Sequence, residues 1–292
     1  MLKFTTIVLG ESGAPNCDRC GRSEPEALRN TQSVLSEIRK AISAWPGGPG
    51  PNLSFAGAEP FRHPAIFDLL AASVAAGANR IRLESDAHGL VARGAAEHAL
   101  ASGVRHLAFP ILGSTPQLHD ALSGSPGSLA NTLAGVETFT SAARDGGLRV
   151  HVTARTPVCR HNLHDTPAIV TAAAKAGANA IRLTINDVDL DVRQACAWLG
   201  AACDTGIVCG IWVEVEGVPY GCAVGWELHL ASMYRQVEGE KTDTCLECPL
   251  TVVCGGAMLG ASRKVLSSFA PPPDAARVAT RIAHSFDPPK AG

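Results

Sequence analysis

At 292 residues the chain has room for one large domain, or one large and one small, with a sizeable core. A formal net charge of -2, with 18% charged and 46% hydrophobic residues, excludes the electrostatic footprint of a nucleic-acid or anionic-membrane partner. Ten cysteines are too few for a disulfide scaffold, yet their clustering points to metal or iron–sulfur chemistry in a reducing compartment. The first ten residues hold too short an apolar run for a secretory signal, and no stretch approaches the ~18 apolar residues of a membrane span. A soluble, cytoplasmic protein is expected.

In chain order, the strand candidates are Phe4–Leu9, Leu53–Phe55, Arg80–Glu84, His106–Phe109, Arg149–Thr153 and Ala180–Ile185. Helical segments lie between them. Pro25–Trp45 repeats Leu28, Leu35, Ile38, Ile42 and Trp45 on one face, and Pro64–Ala76 repeats Ile66, Phe67, Leu70 and Val74. Strands alternating with helices predict βαβ crossovers and a parallel sheet. An internal repeat agrees: Ala76-Gly-Ala-Asn-Arg-Ile-Arg-Leu83 recurs as Ala176-Gly-Ala-Asn-Ala-Ile-Arg-Leu183. Each copy reads as a helix ending on a left-handed glycine before a strand. Six βα units are fewer than the eight of a closed barrel.

Beyond Gly200 the pattern changes. Ile207–Val215 alternates as a strand, Gly217–Gly221 reads as a turn, and Cys222–Leu228 as a returning hairpin strand. A final helix is expected near Ala275–His284. The expected organisation is a barrel over 1–200, a small cysteine-held domain over 201–265 and a helix with tail over 266–292.

Three places carry chemistry. Cys17-Asp-Arg-Cys20, after the first strand, forms half of a metal site, because both sulfurs of such a pair can converge on one centre; taken alone it also reads as a zinc half-site or a redox dithiol. Asn52-Leu-Ser-Phe-Ala-Gly57-Ala58-Glu59-Pro60 closes the second strand at the sheet edge where parallel α/β folds bind ligands. The third is the group of six thiols Cys203, Cys209, Cys222, Cys245, Cys248 and Cys254, more than the four that one cluster or one zinc ion requires.

Taken together, these residues resemble the radical S-adenosylmethionine superfamily, in its subgroup with a C-terminal SPASM or shortened twitch domain. Phe55-Ala-Gly-Ala-Glu-Pro60 is similar to the family's Gly-Gly-Glu-Pro strand end. Leu83-Glu-Ser85-Asp-Ala-His-Gly89 resembles its Thr-Asn-Gly turn, and Leu118-His-Asp120 with Gly124–Ser128 its His-Asp and Gly-Ser segment. Cys245-x2-Cys248-x5-Cys254 is the most specific element of the auxiliary-cluster pattern. The resemblance implies a partial (β/α)6 TIM-like barrel with a small C-terminal iron–sulfur domain. It also implies a [4Fe–4S] cluster on Cys-x3-Cys-x2-Cys, S-adenosylmethionine at Gly57, Ala58, Glu59, Pro60 and Ser85, and a 5′-deoxyadenosyl radical acting on a substrate such as a precursor peptide.

The sequence departs from that pattern at its centre. Gly13 stands where the first cysteine of the triad belongs, leaving Cys17 and Cys20, and glycine has no donor atom. Glu11 or Ser12 would offer oxygen, where iron–sulfur sites prefer thiolate. Ala58 replaces a glycine, and Phe109-Pro110 stands where the family has a polar residue. The C-terminal set lacks a cysteine near Met258, which implies one auxiliary cluster, on Cys203 or Cys209 with Cys222, Cys245 and Cys248, and Cys254 as substitute.

Three readings follow: a partner subunit of a complete radical S-adenosylmethionine enzyme, joined to it as a heteromer; an active enzyme that modifies a peptide; and a zinc-stabilised binding module. Other residues take plainer readings. His119 and Asp120 read as a capping turn, Cys159 as a free buried thiol and Cys196 as core, while Arg82 and Arg182 are expected to pair with carboxylates.

Overall fold

In a computed structural model of the chain, the structure describes residues 3–11, 27–233, 237, 239–251, 254–257, 275–277 and 279–280. Gly13, Cys17 and Cys20, with Ser12 and Met258, lie outside the described residues. The chain folds as two compact units, Met1–Thr156 with Ala168–Ile181 and Cys209–Trp212, and Pro157–Pro167 with Arg182–Val208 and Val213–Gly292.

The first unit is built on parallel strands in chain order: β1 (Thr5–Val8), β2 (Asn52–Ala56), β3 (Arg80–Glu84), β4 (Val104–Pro110) and β5 (His151–Val158). Each parallel step needs a crossover, and helices supply it. These are α1 (Thr31–Ser43), α2 (Ile66–Ala75), α3 (Ala95–Ala101), and the pair α4 (Pro116–Ser123) and α5 (Ser128–Asp145). Asn30 caps α1 by accepting from the Ser33 backbone N–H at 2.9 Å, and Thr115 with Pro116 opens α4. The first helix is shorter than the sequence expectation, because Ala27–Leu28 pairs instead as a short antiparallel strand with Gly10–Glu11. The fifth strand runs past the expected Thr153 to Val158.

Register sets the two faces of this sheet. Ile7, Phe55, Leu83, Leu107 and Val152 are successive partners across β1 to β5, and all are buried. Helices α1 and α3 contact β1 and β4, and Val34, Ile38, Ala96 and Ala99 add to the core. One residue along each strand, the side chains turn to the opposite face. There the partners are Thr6, Ser54, Arg82, His106 and His151. A barrel interior is ordinarily filled by branched apolar side chains; this face is polar.

The repeat is a structural repeat. In the first copy α2 ends at Ala75, Gly77 takes φ +104°, and the Ala78 N–H donates to the Ser73 carbonyl at 2.9 Å. In the second, α6 (Thr166–Lys175) ends before Gly177 at φ +94°, and the Ala178 N–H donates to the Ala173 carbonyl at 3.0 Å. A side chain is strained at such φ, so glycine fixes the exit of both helices. Each then enters a strand, β3 and β6 (Ala180–Ile185).

In the second unit the sequence expectation needs correcting. The segment from Ile207 is not a strand: α7 (Val192–Cys209) runs through it, and β7 begins only at Trp212 and ends at Glu216. Cys203 and Cys209 therefore sit on a helix. Cys222–Leu228 forms no hairpin strand, but lies in two short turns, Tyr220–Cys222 and Glu227–His229. β7 instead meets Leu230 through a parallel bridge at Val215. β6 and β7 are neighbours, joined by Arg182 Nε donating to Glu214 Oε1 at 2.6 Å. Arg160 grips Asp187 through two hydrogen bonds of 2.8 and 3.0 Å, which hold that carboxyl down at about 2.

Candidate functional site

The edge after β2 and β3 carries the densest polar geometry of the first unit. Gly57, just past β2, has φ +96°, and a Cβ there would lie 2.5 Å from the Gly10 carbonyl oxygen. Only glycine lets these two backbones close up. Glu59 then caps the short turn Pro60–Arg62. Its Oε1 accepts from the Phe61 N–H at 3.1 Å and from Ser85 Oγ at 2.7 Å, and its Oε2 from the Asp86 N–H at 2.8 Å. One carboxylate thus ties the end of β2 to the end of β3.

Burial pushes the Glu59 carboxyl up to about 7, and the Asp86 charge adds to it, against the three hydrogen bonds it accepts. Ser85 Oγ also accepts from the Ala87 N–H at 2.9 Å, and Ala87 is the one non-glycine with positive φ among the described residues. Asp86 Oδ1 accepts from the His88 N–H at 2.8 Å, and His88 Nε2 lies 3.1 Å from Thr132 Oγ1. Of the residues singled out in the sequence, Glu59 and Ser85 are hydrogen-bonded here, and Gly57, Ala58 and Pro60 flank Glu59 along the chain. Asp86 and Ala87 complete the turn.

Asp120 accepts from the Gly127 and Leu129 N–H groups at 2.6 and 3.0 Å, capping α5 as the plainer reading expects. His119 Nδ1 accepts from the Leu112 N–H at 3.1 Å, and burial lowers its pKa. Arg82 does pair with a carboxylate: its Nη2 donates to Glu84 Oε1 at 2.7 Å and its Nε to Ser54 Oγ at 2.8 Å. The other oxygen of Glu84 is held by Arg155. The two guanidinium groups and the Ser54 hydroxyl hold the Glu84 carboxyl below its usual range, against its own burial, which pulls it up. His106, beside Phe4 and His151, is pushed down to about 4 by burial, with the neighbouring His151, Arg80 and Arg82 adding to it. Glu84 and Arg155 escaped the sequence reading, although charges at every second position of β3 signalled a polar face.

In the second unit, Cys203 is fully buried on α7, and burial, with Asp204 nearby, pushes its thiol up to about 12. Cys222 interacts with Cys196, which was expected to be plain core. The hydrogen bond that Cys196 Sγ makes as a donor is to the Val192 carbonyl, at 2.9 Å. The neighbouring Cys196, helped by Arg193, lowers the Cys222 pKa against the effect of burial. Cys254 Sγ accepts from the Tyr220 N–H at 3.2 Å, and Cys245 Sγ from the Thr242 N–H at 3.4 Å at the start of the helical turn Asp243–Leu246, with Cys248 just beyond. Among the described residues no three His, Cys, Asp or Glu side chains are grouped to hold a metal ion. The five candidate thiols of this unit, Cys203, Cys222, Cys245, Cys248 and Cys254, do not fit a four-thiolate centre as placed.

No helix among the described residues is long and apolar enough to cross a membrane. No protein-family model matches the chain, and no curated protein matches it. Solved structures do. One is anSMEcpe with bound AdoMet, at a TM-score of 0.60 and 10% identity, over 97% of this chain and 97% of that one. Another is anSMEcpe with bound AdoMet and the Cp18Cys peptide, at 0.58 and 11%, over 96% and 95%. A third is Streptococcus suis SuiB bound to the precursor peptide SuiA, at 0.54 and 12%, over 72% of this chain and 48% of that one. The chain thus spans about half the length of SuiB. It has the α/β fold of these structures.

Proposed function

We propose that the protein is a radical S-adenosylmethionine-fold subunit in peptide maturation, working beside a complete enzyme of that fold rather than generating the radical itself. The observation that carries this reading is Gly13, which stands in the sequence where the first thiolate of the triad belongs. The likeness to structures that hold AdoMet and peptides supports the substrate class. In this reading Gly57, Ala58, Glu59, Pro60 and Ser85 are the segment that would face S-adenosylmethionine. One auxiliary [4Fe–4S] cluster is proposed on the spacing of the C-terminal cysteines alone, and it would require those thiols to come together from the separate positions described above.

A second reading, an active enzyme, draws support from the intact Glu59–Ser85–Asp86 arrangement. Gly13→Cys separates the two. After anaerobic reconstitution with iron and sulfide, the partner reading expects the variant to bind about four more irons than wild type, in keeping with a restored cluster. Equal iron in both proteins would defeat it. Zinc without acid-labile sulfide in the protein as isolated would favour the third reading, a zinc-stabilised binding module.

A further inference from the structure

The polar face of the first unit's sheet carries an imbalance of charge that the fold does not require. Arg80, Arg82 and Arg155 project from alternating positions of β3 and β5, and Glu84 is the one carboxylate among them. His106 and His151 add no compensating charge, since both are shifted toward the neutral form. Arg82 is committed: it bonds Ser54 and Glu84, and its guanidinium lies 4.4 Å from the centre of the Phe4 ring. Arg155 is placed differently. It stands across from Pro110 near the C-terminal end of the strands, and one nitrogen, Nη1, holds Glu84. The residue is 45% exposed, and its Nε and Nη2 have no hydrogen-bond partner among the described residues. Glu84 directly precedes Ser85, so this guanidinium shares the strand edge that carries Glu59.

We propose that Arg155, oriented by Glu84, is a binding residue for a carboxylate group of the substrate. A guanidinium anchored through one nitrogen keeps its remaining donors fixed in a planar fork, which matches a carboxylate with two parallel hydrogen bonds. The surplus of positive charge on the face favours the same ligand and opposes a cationic one. The inference rests on the peptide-maturation reading for the nature of the substrate, and the carboxylate would come from an acidic side chain or from a peptide C-terminus.

The test uses the full chain and three acetylated tetrapeptides: an amidated all-alanine peptide, its free acid, and an amidated peptide with one glutamate. Binding is followed by NMR, with and without S-adenosylmethionine. At least one of the two charged peptides is expected to bind ten-fold or more tightly than the neutral one, and which of them does so names the source of the carboxylate. Arg155→Gln is expected to abolish that preference, and Arg155→Lys, which keeps the charge without the fork, to weaken it severalfold. Equal binding of all three peptides, an undiminished preference in Arg155→Lys, or displacement of the charged peptide by S-adenosylmethionine would overturn the proposal. The assay needs no cluster, so failure of the partner reading would show up separately, as iron content or 5′-deoxyadenosine.

Discussion

Two groups of the first unit, the buried His106 and the half-buried Glu59, titrate in opposite senses, and separating them tests the electrostatics described for it. His106 is 7% exposed, and its pKa falls from 6.5 to about 4, chiefly through burial. Between these values the unfolded chain takes up a proton that the folded chain refuses, so stability is lost as pH falls from 6.5 through 4. That displacement is worth about 3 kcal/mol at 1.36 kcal/mol per pKa unit. Glu59 moves from 4.5 up to about 7, again through burial first and the Asp86 charge second. Here the folded chain holds a proton that the unfolded chain releases, so stability is lost as pH rises from 4.5 through 7, also by about 3 kcal/mol. The two slopes nearly cancel in wild type between pH 5 and 6.5. His106→Phe keeps a ring edge-on to Phe4 and removes the first titration, leaving a protein whose stability falls steadily from pH 5 to 7. Glu59→Gln removes the second, leaving a protein that weakens on acidification. Urea unfolding at pH 4, 5, 6 and 7 measures both. Wild type and the two variants giving parallel pH profiles would refute the reasoning.

Gly57→Ala is expected to destabilise the protein by about 1–3 kcal/mol in the same urea assay, because it combines a left-handed φ with overlap on the Gly10 carbonyl. Iodoacetamide followed by peptide mass mapping should leave Cys203 unmodified in the native protein and alkylate it in urea, as its fully buried thiol is pushed up to about 12. Rapid native labelling of Cys203 would contradict its placement in the core of α7.

Much of this fold is legible in the sequence, because its determinants are local. The glycine exits at Gly77 and Gly177, and the buried row from Ile7 to Val152, follow from short runs that need no long-range information. The misreadings share a cause. Ile207 and Val208 are β-branched and suggest a strand, yet they are exposed positions on the last turn of an 18-residue helix. The length of that helix outweighs the weak preference of two residues. Cys196 reads as core from its helical neighbours, and its interaction with Cys222 joins residues far apart in the chain, which spacing does not reveal. The polar face was written openly in Arg80, Arg82 and Glu84. The expectation that parallel strands, buried on both faces, read as continuous apolar runs hides it.

The proposed function has this chain keep the fold without generating the radical itself. The direct measurement is 5′-deoxyadenosine released by the purified protein after anaerobic reconstitution with iron and sulfide, in the presence of reductant and S-adenosylmethionine. No product above the protein-free control is expected from wild type. Turnover in wild type that is abolished by Cys17→Ala would contradict the account.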